Sequence, residues 1–254
     1  MTEIGWMVPD AVAGHIERYL EEVQALAGGR VEAVYAVGSL ALGDYSDRQS
    51  NIDLVVAGSR RLDDRLSDRL TRARAHLDRP RHPAVVWYAT WEDIAEVGLA
   101  GGGPGGGAPG GASSAVSPLA TPLTRAILRQ DPVALVGPDW PVVAHDPDEL
   151  RAWSSGRLRT LVARSPGLLV LRRAVSPLVL ETARLAQAAL TGRVLSKSAA
   201  GNAAVALVVP SHRRILVDSV GYRRGAQTSM YWGPFERKYD ALAVVRELGG
   251  LVLG

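Results

Sequence analysis

At 254 residues, 47% of them hydrophobic, the chain is long enough for one large domain or two ordinary ones and too apolar to be disordered throughout. Its 29 Lys and Arg residues against 26 Asp and Glu leave only +3 over the whole length, without the concentrated positive field of a dedicated nucleic-acid binder. The absence of cysteine excludes disulfides, thiolate nucleophiles and Cys-based zinc or iron–sulfur centres, and the histidines show no paired metal spacing.

Val12, Ile16, Leu20, Val23 and Leu26 recur at three- and four-residue spacing and predict an amphipathic helix from Pro9 to Ala27, stopped by Gly28 and Gly29. Val31 to Val37 then reads as a buried strand and runs directly into Gly38-Ser39. Ile52 to Val56 predicts a second strand, and a helix studded with both signs of charge follows from about Arg61 to Leu77. A third strand fits Ala84 to Thr90. Glycine and proline dominate 101–111, which is expected to be a flexible linker or mobile loop. Pro122 to Gln130 suggests a helix, Val133 to Val136 a short strand, and Gly137-Pro138 a stop; from Pro147 onward the pattern is mainly helical. The N-terminus lacks a basic-then-apolar signal pattern, and no apolar run approaches the roughly 18 residues that span a bilayer. A soluble cytoplasmic protein with no membrane partner is expected.

The segment richest in chemistry is Gly38-Ser39, a polar connection over Leu40 to Gln49, and Ser50-Asn51-Ile52-Asp53 leading into the second strand. Glycine lets backbone approach a phosphate, the Ser39 hydroxyl and nearby amides can donate to its oxygens, and residues two apart on a strand share a face. The pattern resembles the nucleotidyltransferase superfamily, in which GS is followed by a loop and a D-x-D pair on the next strand. It is more closely similar to bacterial aminoglycoside adenylyltransferases of the streptomycin/spectinomycin type. Leu135-Val136-Gly137-Pro138 resembles that family's segment at the domain junction, and Leu190-Thr191-Gly192-Arg193 with Ser196-Lys197 resembles its helix end followed by a lysine. The likeness extends over nearly the whole chain.

The resemblance implies an α/β N-terminal nucleotidyltransferase-like domain with a mixed sheet over 1–140, and an all-α C-terminal helical domain over 141–254. It also implies nucleotide contacts from Gly38, Ser39, Arg184, Lys197 and Tyr222. Lys197 is one of only two lysines, the other being Lys238. Three positions depart from the family pattern. Asn51 replaces the first metal-binding aspartate, leaving Asp53 as the remaining ligand and weakening any magnesium site. The place of the general base falls near Val85, which cannot accept a proton, and an acidic substrate-recognition position falls near Ala174. Asp44, Asp47, Glu92 and Asp93 are the carboxylates available nearby; turns and helix caps account better for each of them, and Asp44 is the best single candidate for a replacement acid or base beside Asp53.

The expected function is transfer to a hydroxylated small molecule from a nucleotide donor, ATP or a nucleotide-sugar, without standard two-metal adenylylation. The alternatives are an aminoglycoside O-adenylyltransferase that works through Asp53, and a non-catalytic nucleotide-binding protein. The partner is a small-molecule acceptor rather than nucleic acid. Trp87, Trp91, Trp153 and Trp232 either line an acceptor cleft or pack a core.

Overall fold

The computed structural model describes residues 8–78, 83–95, 117–164 and 171–254, so the glycine-rich 101–111 stretch lies outside the described residues. The chain divides into two compact units, Met1–His145 and Asp146–Gly254.

In the first unit the apolar stripe after Pro9 forms α1 (Asp10–Ala27), ended by Gly28 in the left-handed conformation. The β-branched run that follows pairs as β1 (Ala33–Ala36), and β2 (Asp53–Gly58) returns antiparallel to it. Helix α2 (Asp64–Ala73) begins later than its charge pattern suggests, because the Asp63 side chain accepts from Leu66 N at 2.9 Å and caps it. Strand β3 (Val85–Thr90) lies parallel to β2. Thr90 and Asp93 then cap each other: Asp93 N donates to Thr90 Oγ1 at 3.1 Å, and Thr90 N to Asp93 Oδ2 at 2.8 Å. They open a short helix, α3 (Trp91–Ala95), so Asp93 serves a helix end. Helix α4 (Pro122–Gln130) and β4 (Val133–Val136) complete the unit.

The sheet is mixed, with strand order β3-β2-β1-β4. Its period of two divides the side chains between faces. Val34, Ala36, Leu54, Val56 and Val86 join the core built by Val12, Ile16, Tyr19 and Val23 of α1 and Leu66 and Leu70 of α2. Each fully buried Ile or Leu of this set contributes roughly 2 kcal/mol of hydrophobic stabilisation. Asp53 and Val55, on the alternate positions of β2, point to the opposite face.

All described elements of the second unit are helical: α5 (Pro147–Arg164), α6 (Arg172–Thr191), α7 (Lys197–Ala204), α8 (Arg213–Arg223) and α9 (Pro234–Leu253), with a 3-10 turn at Pro210–His212. Helix α6 packs against all four of the others, burying Val175, Val179, Ala183 and Ala186 in their midst. The approach of α7 is close enough that a β-carbon on Gly201 would stand 2.6 Å from Leu180 Cδ2 and 2.8 Å from Val220 Cγ2. Periodicity anticipates α5, α6 and α9 as long helices. It does not resolve α7 and α8, whose shorter segments carry few apolar repeats.

Candidate functional site

The first cluster forms where β1 ends. Val37 N donates to Asp53 O at 3.0 Å, the last rung of the β1–β2 ladder, and the chain then turns at Gly38 with φ +63°. Leu42 N bonds to Gly38 O at 3.1 Å and Asp44 N to Ser39 O at 2.9 Å, folding residues 38–44 into one compact turn. Leu40 and Ile52, both buried, pin the polar excursion to the core at its two ends. A second turn closes on Ser50, whose hydroxyl accepts from Ser46 N at 3.0 Å.

Gly38 is required twice. Its φ lies in the left-handed region that favours glycine, and a β-carbon there would meet Asp53 Oδ2 at 2.6 Å. The carboxylate of Asp53 therefore lies directly against the Gly38 backbone. Asn51 is half-buried, Ile52 is buried and Asp53 is half-buried again, the alternation of a strand entering a sheet. Register places Val85 of β3 opposite Asp53, on the same face of the sheet. The position two residues before Asp53 thus carries an amide, and the one paired with it on the next strand carries an aliphatic side chain. The Asn51-x-Asp53 pair supplies one full negative charge where a D-x-D pair supplies two. Among the described residues no group of three or more His, Asp or Glu side chains is arranged to hold a metal ion. Asp44 is half-buried within the 38–44 turn. Among the described residues, Arg125 of α4, only 2% exposed, is the one arginine among the largest fully buried side chains, and nothing in its local sequence pattern announces that burial.

The second cluster lies in the other unit. Ser196 caps α7 by accepting from Ala199 N at 3.2 Å, which makes Lys197 the first residue of that helix rather than a cation in a loop. An ammonium at the positive end of a helix dipole needs a nearby anion, and Glu181 of α6 supplies it. Lys197 Nζ lies 3.2 Å from Glu181 Oε2, and Arg184 Nη2 donates to both carboxylate oxygens, at 2.7 and 2.9 Å. Arg184 and Lys197 are thereby joined through one carboxylate. Burial alone would push the Glu181 carboxyl up, but Arg184 and Lys197 outweigh it and hold the group down at about 2. Burial shifts the Lys197 ammonium below its ordinary value, opposed by Glu181 and reinforced by the positive charges of Arg184 and Arg223. Glu181 and Arg223 escape a motif search. The three-residue spacing of Glu181 and Arg184 on α6 is the one local signal that could have found the pair.

Tyr222 sits in a different setting. The guanidinium of Arg172 lies over its ring at 4.8 Å from the centroid. Arg172 also makes a bidentate pair with the buried Asp218, at 3.1 Å through Nε and 3.0 Å through Nη2, and donates to the carbonyls of Ala226 and Gln227. Asp218 accepts further from Met230 N at 2.8 Å. The tryptophans divide similarly. Trp87 is buried in the sheet, Trp91 donates to Glu32 at 2.7 Å with its ring edge-on to Tyr35, and Trp153 packs at the helical core. Trp232 is fully exposed.

No family model and no curated protein matches the chain. Its fold resembles that of a solved adenyltransferase. Among solved structures it is similar to spectinomycin adenyltransferase AAD(9) from Enterococcus faecialis, crystallised with ATP and spectinomycin, with a TM-score of 0.61, 12% identity, and coverage of 92% of this chain and 98% of that one. Among the described residues no helix is long and apolar enough to cross a membrane.

Proposed function

We propose that this protein is a transferase that binds a nucleotide or nucleotide-linked donor and modifies a hydroxylated small molecule, without two-metal adenylylation. The observation that carries the reading is the Gly38–Asp53 contact: a left-handed glycine turn with a carboxylate against it, Asn51 two residues earlier and Val85 alongside. A glycine turn of this kind suits a phosphate, while Asn51 stands at the first metal-binding position of the family pattern and Val85 at the place of its base. Gly38 and Ser39 of the first unit offer backbone and hydroxyl donors to a phosphate, and Arg184 and Lys197 of the second are cations assigned to the nucleotide through the family resemblance. Asp53 and Asp44 are the carboxylates assigned to take the acceptor's hydroxyl proton, and Tyr222 is assigned to the nucleotide through the family resemblance.

Isothermal calorimetry with ATP, other nucleoside triphosphates and nucleotide-sugars, each with and without magnesium, tests donor binding; binding of none of them overturns the reading. Mass spectrometry of hydroxylated acceptors after incubation then separates a transferase from a nucleotide-binding protein without turnover. Turnover abolished by Asp53→Asn or Asp44→Asn supports the catalytic assignment. The similarity to an adenyltransferase solved with ATP and spectinomycin favours a second reading, O-adenylylation of an aminoglycoside through Asp53 and the triphosphate's own metal ligands. An adenylyl mass increment on an aminoglycoside in ATP and magnesium would select it.

A further inference from the structure

We infer that Glu181 is an internal competitor for anions at the Arg184–Lys197 pair, so that a ligand gains both cations only by displacing this carboxylate. The inference rests on the proposed role of the pair as a phosphate contact and assigns that site a selectivity. The geometry carries it. Both oxygens of Glu181 are engaged by Arg184, and Oε2 also receives Lys197, so the carboxylate takes up the donors that a phosphoryl group would use. None of the three side chains is sealed off: 16% of Arg184, 29% of Lys197 and 27% of Glu181 remains exposed. Arg223, buried in α8, adds a third positive charge that acts on Lys197.

The site therefore joins two cations from two helices through one tethered anion on α6. A tethered carboxylate is always at hand, so a singly or doubly charged ligand competes with it poorly. A triphosphate presents more charge and more acceptor oxygens, and it can hold both cations after Glu181 swings away. Glu181 thus raises the threshold of negative charge for entry and favours polyphosphates over monophosphates. A purely supporting Glu181, holding the two cations in place for a ligand, predicts the opposite sign: its removal would weaken binding.

The test compares the full chain with Glu181→Gln, and with Glu181→Ala as a second variant, each checked for native circular dichroism and cooperative unfolding. Dissociation constants are measured for inorganic tripolyphosphate, inorganic phosphate, ATP and AMP. The expected result is tripolyphosphate binding roughly tenfold tighter in Glu181→Gln, the scale of one charge-assisted hydrogen bond. Phosphate should gain more than tripolyphosphate, so that the preference between them narrows. Lys197→Gln in the Glu181→Gln background should reverse the gain. Unchanged or weaker tripolyphosphate binding in both Glu181 variants, or no binding by any form, overturns the inference. Tighter tripolyphosphate binding with no binding of ATP or AMP leaves it standing and removes nucleotides from the proposed function. Equal ATP binding by all forms does the reverse.

Discussion

Replacing Gly38 by alanine perturbs the proposed phosphate turn in two separable ways. The residue sits at φ +63°, and an L side chain in the left-handed region loses about 1 kcal/mol relative to glycine. The new β-carbon would also stand 2.6 Å from Asp53 Oδ2, so the carboxylate must rotate away, and an off-rotamer displacement of that kind costs about 1 kcal/mol. Gly43 is the internal control: its φ is +60°, and an added β-carbon there meets nothing within 4 Å. Gly38→Ala should therefore destabilise by about 2 kcal/mol and Gly43→Ala by about 1 kcal/mol. Urea unfolding measures both; with a slope near 2 kcal/mol per molar, the Gly38→Ala midpoint falls by about 1 M and the Gly43→Ala midpoint by about half of that. Repeating the pair in an Asp53→Ala background completes a double-mutant cycle, and the excess at Gly38 should vanish there. Equal losses at the two glycines, or an excess that survives removal of Asp53, would refute the assignment of the Asp53 carboxylate to the Gly38 backbone.

Glu181 makes stability depend on acid. Its folded carboxyl lies at about 2, below the ordinary 4.5, so its stabilisation is present above about pH 4.5 and disappears as the pH falls towards 2. With part of the side chain still solvated, Glu181→Gln should be less stable than the parent by about 2–3 kcal/mol at pH 7, and the gap should close between pH 4.5 and 2 in a series of denaturant titrations. A gap independent of pH would refute the ion-pair account. Asp218→Ala leaves Arg172 facing the vacated, buried position and should lose about 3–5 kcal/mol on chemical denaturation; a loss under 1 kcal/mol would show that the hub is not structural. Restoring acidic groups around Asp53 with Asn51→Asp and Val85→Glu should give a magnesium-dependent rise in melting temperature, absent from the parent, together with lower stability in chelator from like-charge crowding. A double variant that is indifferent to magnesium would argue against Asn51 and Val85 as neighbours of the Asp53 carboxylate.

The sequence by itself determines what depends on near neighbours. Apolar spacing from Val12 to Leu26 specifies α1, β-branched residues after Gly29 specify β1, and the reach from Gly38 to Asp53 is legible because the two strands are consecutive and pair directly. Caps shift the ends by a few residues, as Asp63 does for α2, because a single side-chain hydrogen bond fixes where the first turn begins. Tertiary structure decides which charges meet. Glu181 joins Arg184 within one helix but reaches Lys197 only because α7 packs on α6. Arg172 finds Asp218 across the α6–α8 contact, and Tyr222 takes its place beneath that arginine. Charged side chains carry no period that encodes a distant partner. Their pairing follows from helix packing, and helix packing is set by small and apolar residues such as Gly201, Leu180 and Val220. The carboxylate between the two candidate phosphate cations, invisible to a motif, is the consequence of that packing.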